Sequence, residues 1–321
     1  MSTMRAMAMT RAGGPEVLEL VELDRPVRVN AELLVRVVAA GVNPIDAKTR
    51  AGRGAFPAIA AFPAVLGNDF SGIVEEAPYE AHPLQPGTEV YGMGMVPRMA
   101  GAYAEYLTVN AFSVVKKPSA LSHVEAAGVP LAALTAWGMV VETAKAHEGQ
   151  RMLIHAGAGG VGHFAVQFAA YFGAHVIATG SARNASWLRE LGAVEVLDYS
   201  AVRFDEVLDP VDAVIDLIGN VHDDTGSRSL RVLRPGGIIV NGPTGSWPTM
   251  ADEAATAGVR ATGFRVVPDG STLAIVSRLL ESGDVKVYVD QVFDLEDAAS
   301  AHRAIEEGHT RGKLVLKVAE S

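Results

Sequence analysis

"LIHAGAGGVGHFAVQ", Leu153–Gln167, places glycines at 157, 159, 160 and 162 between a short apolar run and an apolar, helix-spaced continuation. Gly157, Gly159 and Gly162 form G-x-G-x-x-G, a pattern that acquires meaning only when it follows a strand and opens a helix. Both conditions hold here. "MLIHA" from Met152 has the length of a buried strand, and Val161, Phe164, Ala165, Phe168, Ala169 and Phe172 recur at helical spacing until Gly173 stops the helix. A turn without Cβ atoms is tight, and an anion can approach its backbone closely. The open N–H groups and the helix dipole then favour negative charge, so the segment Gly157, Gly159, Gly160, Val161, Gly162 reads as a cradle for the diphosphate of a dinucleotide.

Working outward, the apolar runs "HVIATG", "VEVLDY", "AVIDLIG" and "GGIIVNGP" begin at His175, Val194, Ala213 and Gly236. Steps of about 20 residues are what a strand plus a crossover helix requires. With "RATGF" at Arg260–Phe264 as a sixth strand, the reading is a doubly wound parallel sheet of the Rossmann type. Met152–Ala182 carries no Asp, Glu, Lys or Arg, yet its glycines, three histidines and Gln167 fit a buried strand-turn-helix-strand unit better than a membrane span. No membrane association is expected.

The amino-terminal part differs. "VLELVEL" and "LLVRVVAAGV" alternate, and turn clusters such as "RAGGPE" and "QPGTE" divide many short segments, which predicts an antiparallel β-rich domain. After Ser271 come a helix, "STLAIVSRLLESG", a strand, "KVYVDQVF", a second helix with Asp294 and Asp297 as a capping pair and Gly308 at its end, and a last strand, "KLVLKV". This tail has no nucleotide motif and most simply rejoins the first domain. The expected division is 1–121 and 265–321 for an α/β protein's β-rich domain, with the nucleotide domain at 122–264 inserted and a cleft between them.

Composition narrows the function. A chain of 321 residues suits two domains, and a formal net charge of -10 argues against nucleic acid as a partner. There is no Cys, which removes disulfides and thiolate metal sites. The opening "MSTMRAMAMTRAGGPE" has no apolar core of signal-peptide length, so a cytoplasmic location is expected. The choice of dinucleotide follows from the end of the second strand, "VIATGSARN". Gly180 stands where an NAD site carries an acid, Ser181 offers a hydroxyl, and Arg183 offers a guanidinium able to grip a 2′-phosphate. NADPH is therefore expected over NADH.

Together, "AAGVNPIDAKTRAG", "VLGNDFSGIV", "GAYAEYLTV", "PLAALTAW", "HAGAGGVGHFAVQ", "LRPGG" and "GKLVL" resemble, in order and over essentially the whole chain, the medium-chain dehydrogenase/reductase superfamily, specifically its zinc-independent quinone oxidoreductase (zeta-crystallin-like) branch. The resemblance implies a GroES-like catalytic domain, an inserted Rossmann domain, NADPH, and a homodimer paired through the sheet edge. Zinc-dependent relatives read Gly-His-Glu where this chain reads Gly67, Asn68, Asp69, so no metal is expected. Without a Lewis acid the chemistry implied is hydride transfer to an electron-poor acceptor, a small apolar quinone or enone. By resemblance Asn43 orients nicotinamide or substrate by a hydrogen bond, Lys48 steadies a developing enolate or phenolate, and Tyr103 and Thr135 lie close to the cleft. Asp46 reads as a helix-start residue. Tyr199, Gly219, Gly242 and Phe264 follow successive strands of the nucleotide domain and are implied cofactor contacts, Tyr199 at the adenosine end. "RGAFPAIAAFP" and "GMGMVPRMAG" supply Phe56, Phe62, Met93, Met95 and Met99 as an apolar lining. An enoyl-thioester reductase and an NADPH-binding structural or sensing protein are the competing readings.

Arg183→Ala is expected to weaken NADPH binding roughly 10- to 100-fold and NADH binding far less, a charge-assisted hydrogen bond contributing about 1.5–3 kcal/mol. Calorimetric titration with each reduced coenzyme measures this, and equal losses would contradict the assignment.

Overall fold

In chain order the amino-terminal elements are β1 (Thr3–Met9), β2 (Leu18–Asp24), β3 (Glu32–Val42), then helix α1 (Pro44–Arg50), β4 (Ala64–Val65), β5 (Asp69–Glu76), β6 (Glu89–Met93), β7 (Tyr106–Asn110) and β8 (Val114–Lys116). The strands range from the largely exposed β2, which alternates, to β3, which is buried almost throughout. The structure is a computed structural model that describes residues 2–320. Two sheets share this segment among the described residues: a three-stranded sheet of order β2-β1-β4, and a larger one in which β3 pairs antiparallel with β5 and β7, followed by β6 and β8. β3 is buried at nearly every position because helices pack on it, and Leu33, Val35, Val37 and Val42 join Met7, Met9, Phe70 and Leu107 in one core. Helices α2 (His123–Ala127) and α3 (Pro130–Trp137) follow. Ser122 caps α2, with Glu125 returning a 2.8 Å hydrogen bond from the Ser122 amide.

The glycine-bearing segment makes the parallel sheet. It contains β9 (Arg151–Ile154), α4 (Gly162–Tyr171), β10 (His175–Gly180), α5 (Ala185–Glu190), β11 (Glu195–Asp198), α6 (Phe204–Val207), β12 (Val211–Asp216), α7 (Thr225–Ser229), β13 (Leu233–Asn241), α8 (Met250–Ala257) and β14 (Arg260–Gly263). Six parallel strands run in the order β11-β10-β9-β12-β13-β14. The order reverses between β9 and β12, which makes the carboxyl ends of those strands the switch point where doubly wound sheets bind ligands. Helix α4 buries Phe164, Ala165, Phe168 and Ala169 completely, and Phe168 meets Trp137 edge-on at 5.3 Å between ring centroids. Gly173 takes φ +81° just past the helix end, the left-handed turn that a C-terminal glycine provides.

The tail contributes α9 (Gly270–Ser282), β15 (Val289–Asp294), α10 (Ala298–Glu306) and β16 (Lys313–Lys317). β16 pairs antiparallel with β3, Leu314 opposite Val42, and parallel with β15, so the tail extends the larger of the two sheets. The Asp294–Asp297 capping pair is not made: Asp294 leads into a 3-10 turn, Leu295–Asp297, and its side chain accepts no capping bond. Gly308 does take the expected left-handed conformation, φ +73°. Asp269 caps α9 instead, accepting from the Ser271 and Thr272 amides at 2.8 and 3.2 Å. The two compact units are Met1–Leu134 with Val267–Ser321, and Thr135–Val266. The second unit starts at Thr135 rather than at 122 because α2 packs on β3 and β5. No helix among the described residues is long and apolar enough to cross a membrane.

Phe168→Ala leaves a void beside Trp137 and Phe164 and is expected to cost about 3–5 kcal/mol, read as a lowered urea midpoint for the parallel-sheet unit.

Candidate active site

In the second unit the glycine turn has the three features a diphosphate site needs. Gly157 donates its amide to Thr179 O at 2.9 Å, and a Cβ there would stand 3.0 Å from Ala178 Cβ and 3.2 Å from Leu188 Cδ2. At Gly162 a Cβ would fall 2.1 Å from Ala156 O, a collision with backbone that no rotamer relieves. At Gly159 it would meet only Ala156 O, at 3.3 Å, and its other side is open. Thus the first and third glycines allow α4 to close on β9 and β10, and the middle one leaves an approach to the backbone. His163 N donates to Gly159 O at 3.0 Å, so the amides of Gly160, Val161 and Gly162 belong to the helix start, whose N–H groups have no partner within the helix. These donors, with the dipole of α4 behind them, fit a diphosphate.

The ends of the neighbouring strands are tied together. Asp216, wholly buried at the end of β12, accepts from the Ile218 and Gly219 amides at 2.9 and 2.8 Å through one oxygen and from Asn241 Nδ2 at 2.7 Å through the other. Gly219 has φ +72°, and a Cβ there would meet Ser246 Oγ. Gly242 donates to Asp216 O at 2.9 Å, and Phe264 donates to Asn241 O at 2.8 Å. The half-buried Phe264 ring lies against Gly138, on a π-helical stretch, Gly138–Thr143, that follows the largely buried Thr135. His155, at the foot of the glycine turn, contacts Thr179 Oγ1 at 3.3 Å and Ser229 Oγ at 2.9 Å, and burial pushes its pKa down to about 4. Neutral imidazole thus braces the turn; its place inside the opening motif was the only sign of it in the sequence.

After β10, Ser181 begins a 3-10 turn, Ala182–Asn184, that carries the exposed Arg183. A side chain at Gly180 would press on Leu188, its Cβ 2.7 Å from Cδ1, which explains why no acid stands there. Asp198, at the end of β11, stands opposite Gly180 and brings a carboxylate to this turn. Its carboxylate accepts from the Ser200 amide and hydroxyl at 3.0 and 2.7 Å and from the Ala182 backbone, bonds that hold it below its ordinary pKa. Tyr199 follows it, 65% exposed.

The first unit concentrates its polar groups at the start of α1. Pro44 occupies the first helical position, and Asp46 accepts from the Asn43 amide at 2.9 Å, the helix-start role read from sequence. The Asn43 carboxamide points inward: Nδ2 donates to Asp69 Oδ2 at 2.9 Å, and Oδ1 accepts from Lys313 Nζ. At 1% exposure its side chain is engaged in the interior of the first unit. Tyr103 joins the same interior. It is wholly buried, packed against Gly67, and its hydroxyl lies 3.3 Å from Asp46 Oδ2 and 3.2 Å from His302 Nε2. Arg50, paired with Glu306, reaches His302 Nδ1 at 3.5 Å. Because a guanidinium only donates, Nδ1 accepts and Nε2 carries the hydrogen toward Tyr103, whose hydroxyl then donates to Asp46. Burial and the nearby Arg50 push the His302 pKa down to about 3, consistent with that neutral ring. Lys48 alone of the three expected catalytic side chains is exposed. Of the apolar lining, Met93 is core, Phe56 and Met99 are partly buried against it, and Phe62 and Met95 are exposed.

Where zinc enzymes coordinate metal, the residues present do not fit it. Asn68 is an amide that contacts Asp46 Oδ1 at 3.4 Å and Met99 Sδ at 3.3 Å, and Asp69 is occupied by Asn43, the Leu131 amide at 2.8 Å and Lys313 at 3.7 Å. No group of three His, Cys, Asp or Glu among the described residues is arranged for a metal ion.

Residues 29–119 match the family described as alcohol dehydrogenase GroES-like domain, and residues 191–316 the family described as zinc-binding dehydrogenase. The chain is 34% identical to 2-methylene-furan-3-one reductase of Solanum lycopersicum over 98% of its own length and 79% of that relative's. It superposes on the quinone oxidoreductase from Coxiella burnetii with TM-score 0.93 at 36% identity, covering 99% of this chain and 100% of that one. The Escherichia coli quinone oxidoreductase complexed with NADPH superposes with TM-score 0.87 at 28% identity, covering 99% and 100%.

Removal from water pushes the Asp46 carboxyl up to about 7, the nearby Asp69 adding to the effect and the Asn43 amide opposing it. The folded state therefore holds a proton that the unfolded chain releases near its ordinary value of 3.8. The associated stability is complete below that value and is lost as pH rises through about 7. Relative to Asp46→Asn, the parent protein is expected to lose about 2–3 kcal/mol between about pH 5 and about pH 8, measured by urea unfolding at both. With glycine cradle, parallel sheet and GroES-like unit joined in one chain, and with relatives aligned along its full length, the protein belongs to the medium-chain dehydrogenase/reductase superfamily, within its quinone oxidoreductase branch.

Proposed function

We propose that this oxidoreductase uses NADPH to reduce a quinone or an α,β-unsaturated carbonyl without a metal ion. The observation that carries the reading is the open face at Gly159 beside the amides of Gly160–Gly162, at the switch point of the parallel sheet. In this reading those amides hold the diphosphate, and Ser181 and Arg183 take the 2′-phosphate. Asp198 Oδ1 is engaged by the Ser200 amide and hydroxyl at 3.0 and 2.7 Å. Tyr199 flanks the adenosine, and Thr135, Gly219, Gly242 and Phe264 border the nicotinamide end. When bound, the coenzyme supplies the hydride.

The chain's own residues then have two tasks. One is to hold the acceptor within about 3–3.5 Å of the donor carbon, and the other is to stabilise the oxyanion that forms as hydride arrives. The exposed ammonium of Lys48 is the group in the first unit suited to the second task, and solvent completes the proton balance. Asp69 and Asn68, engaged with other groups, offer no ready ligand set for a metal Lewis acid that would activate an alcohol, which favours acceptors that are already electron-poor. The names of the tomato reductase and the Escherichia coli enzyme support the same substrate class and coenzyme.

Following NADPH absorbance with a panel of quinones, enones and enoyl thioesters tests the proposal. Oxidation with quinones or enones is expected. Preference for thioesters would replace the substrate assignment, and tight coenzyme binding with no oxidation by any acceptor would indicate a binding protein.

A further inference from the structure

A buried lysine that touches no expected site residue except Asn43 stands at the start of the last strand. Lys313 is 3% exposed, and its ammonium donates to Val42 O at 3.1 Å and to Asn43 Oδ1, with Asp69 Oδ2 at 3.7 Å. Asp69 is wholly buried and returns to the same carboxamide, accepting from Asn43 Nδ2 at 2.9 Å. The carboxamide of Asn43 is therefore gripped at both ends, its oxygen by a cation and its nitrogen by an anion, while the Asn43 amide is held by Asp46. The backbone makes room for this arrangement. At Gly41 a Cβ would lie 2.9 Å from Asp69 Cβ and 2.3 Å from Ala127 O, so any side chain there would push Asp69 away. The register that sets Leu314 opposite Val42 brings Lys313 to the entrance of α1.

Isolated buried charges are costly, and an ion pair between well-packed strands contributes no more stability than an apolar pair of the same volume. What this pair adds is direction: it fixes the residue from which α1 starts, and α1 carries Lys48. We propose that Lys313 and Asp69 are positioning residues for the reduction, acting through Asn43 to hold the start of α1, and thus Lys48, in its working orientation. This rests on the reading of the protein as a reductase that uses Lys48. Neither residue touches the reacting atoms.

The test compares the full-length parent with Lys313→Met and with the charge-balanced Lys313→Met/Asp69→Asn. Four quantities are read: kcat for NADPH oxidation by an alkenal and by a benzoquinone, calorimetric Kd for NADPH, thermal midpoint, and hydrogen exchange of the peptide spanning residues 43–50. Both variants are expected to lose about 10- to 100-fold in kcat, the scale of a small misplacement of a reacting group, with NADPH Kd within about twofold. Exchange at residues 43–50 is expected to quicken about tenfold or more in both, and the double variant recovers its midpoint without recovering kcat. Recovery of kcat along with the midpoint, or a loss of NADPH affinity matching the loss of kcat, would reduce the pair to a structural one and overturn the proposal. If Lys313→Met fails to fold, the double variant carries the same comparison. If the parent reduces neither acceptor, the proposed function falls while exchange at residues 43–50 still decides whether the pair holds α1; unchanged exchange rejects it.

Discussion

The nucleotide unit depends on one close approach: the backbone of Gly162 passes so near the Ala156 carbonyl that a single methyl group would be driven against it. That approach lets α4 turn back immediately after β9 and bury Phe164 and Phe168 against the sheet. The same turn points the first amides of the helix away from the sheet, where an anion can reach them. Packing and binding thus share one cause. The residues that brace the turn are neutral or saturated: His155 is a neutral ring between two hydroxyls, and both oxygens of Asp216 are taken by neighbouring strand ends.

The first unit solves a different problem. It encloses carboxylates at 46 and 69, a lysine at 313 and an arginine at 50, all nearly removed from water. They stay inside because each is satisfied in several directions, by strand carbonyls, by the Leu131 amide, by Tyr103 and by Asn43. Such a network stabilises little in total but tolerates few arrangements, so it acts as a register device joining α1, β3, β5 and β16. Asp46, held close to neutrality of charge by burial, and the chain from Arg50 through His302 and Tyr103 extend it to α10. The residues of the first unit that resemblance marked as catalytic therefore fall into two groups: Asn43 and Tyr103 are built into this interior, and Lys48 remains exposed.

Much of this was legible in the sequence. The glycine turn, the strand succession from Met152 to Phe264, the helix stop at Gly173 and the return of the tail all follow from local patterns: periods of two and about 3.6, and the conformational freedom of glycine. The lack of an acid at 180 is visible as a letter, and so is Gly-Asn-Asp at 67–69. These features are short-range, and short-range physics is written in neighbouring residues. Which polar residues meet is another matter. Nothing local to Asn43 or Tyr103 shows their partners: strand register, with Leu314 opposite Val42, brings Lys313 to Asn43, and α10 brings His302 to the tyrosine hydroxyl. Asp198 came to the Arg183 turn only because β11 pairs with β10 at Gly180. Hydrogen bonds and ion pairs between distant segments are chosen by sheet register and helix packing, which no local pattern encodes, and so the tertiary structure alone decided which side chains are buried partners and which remain free to act.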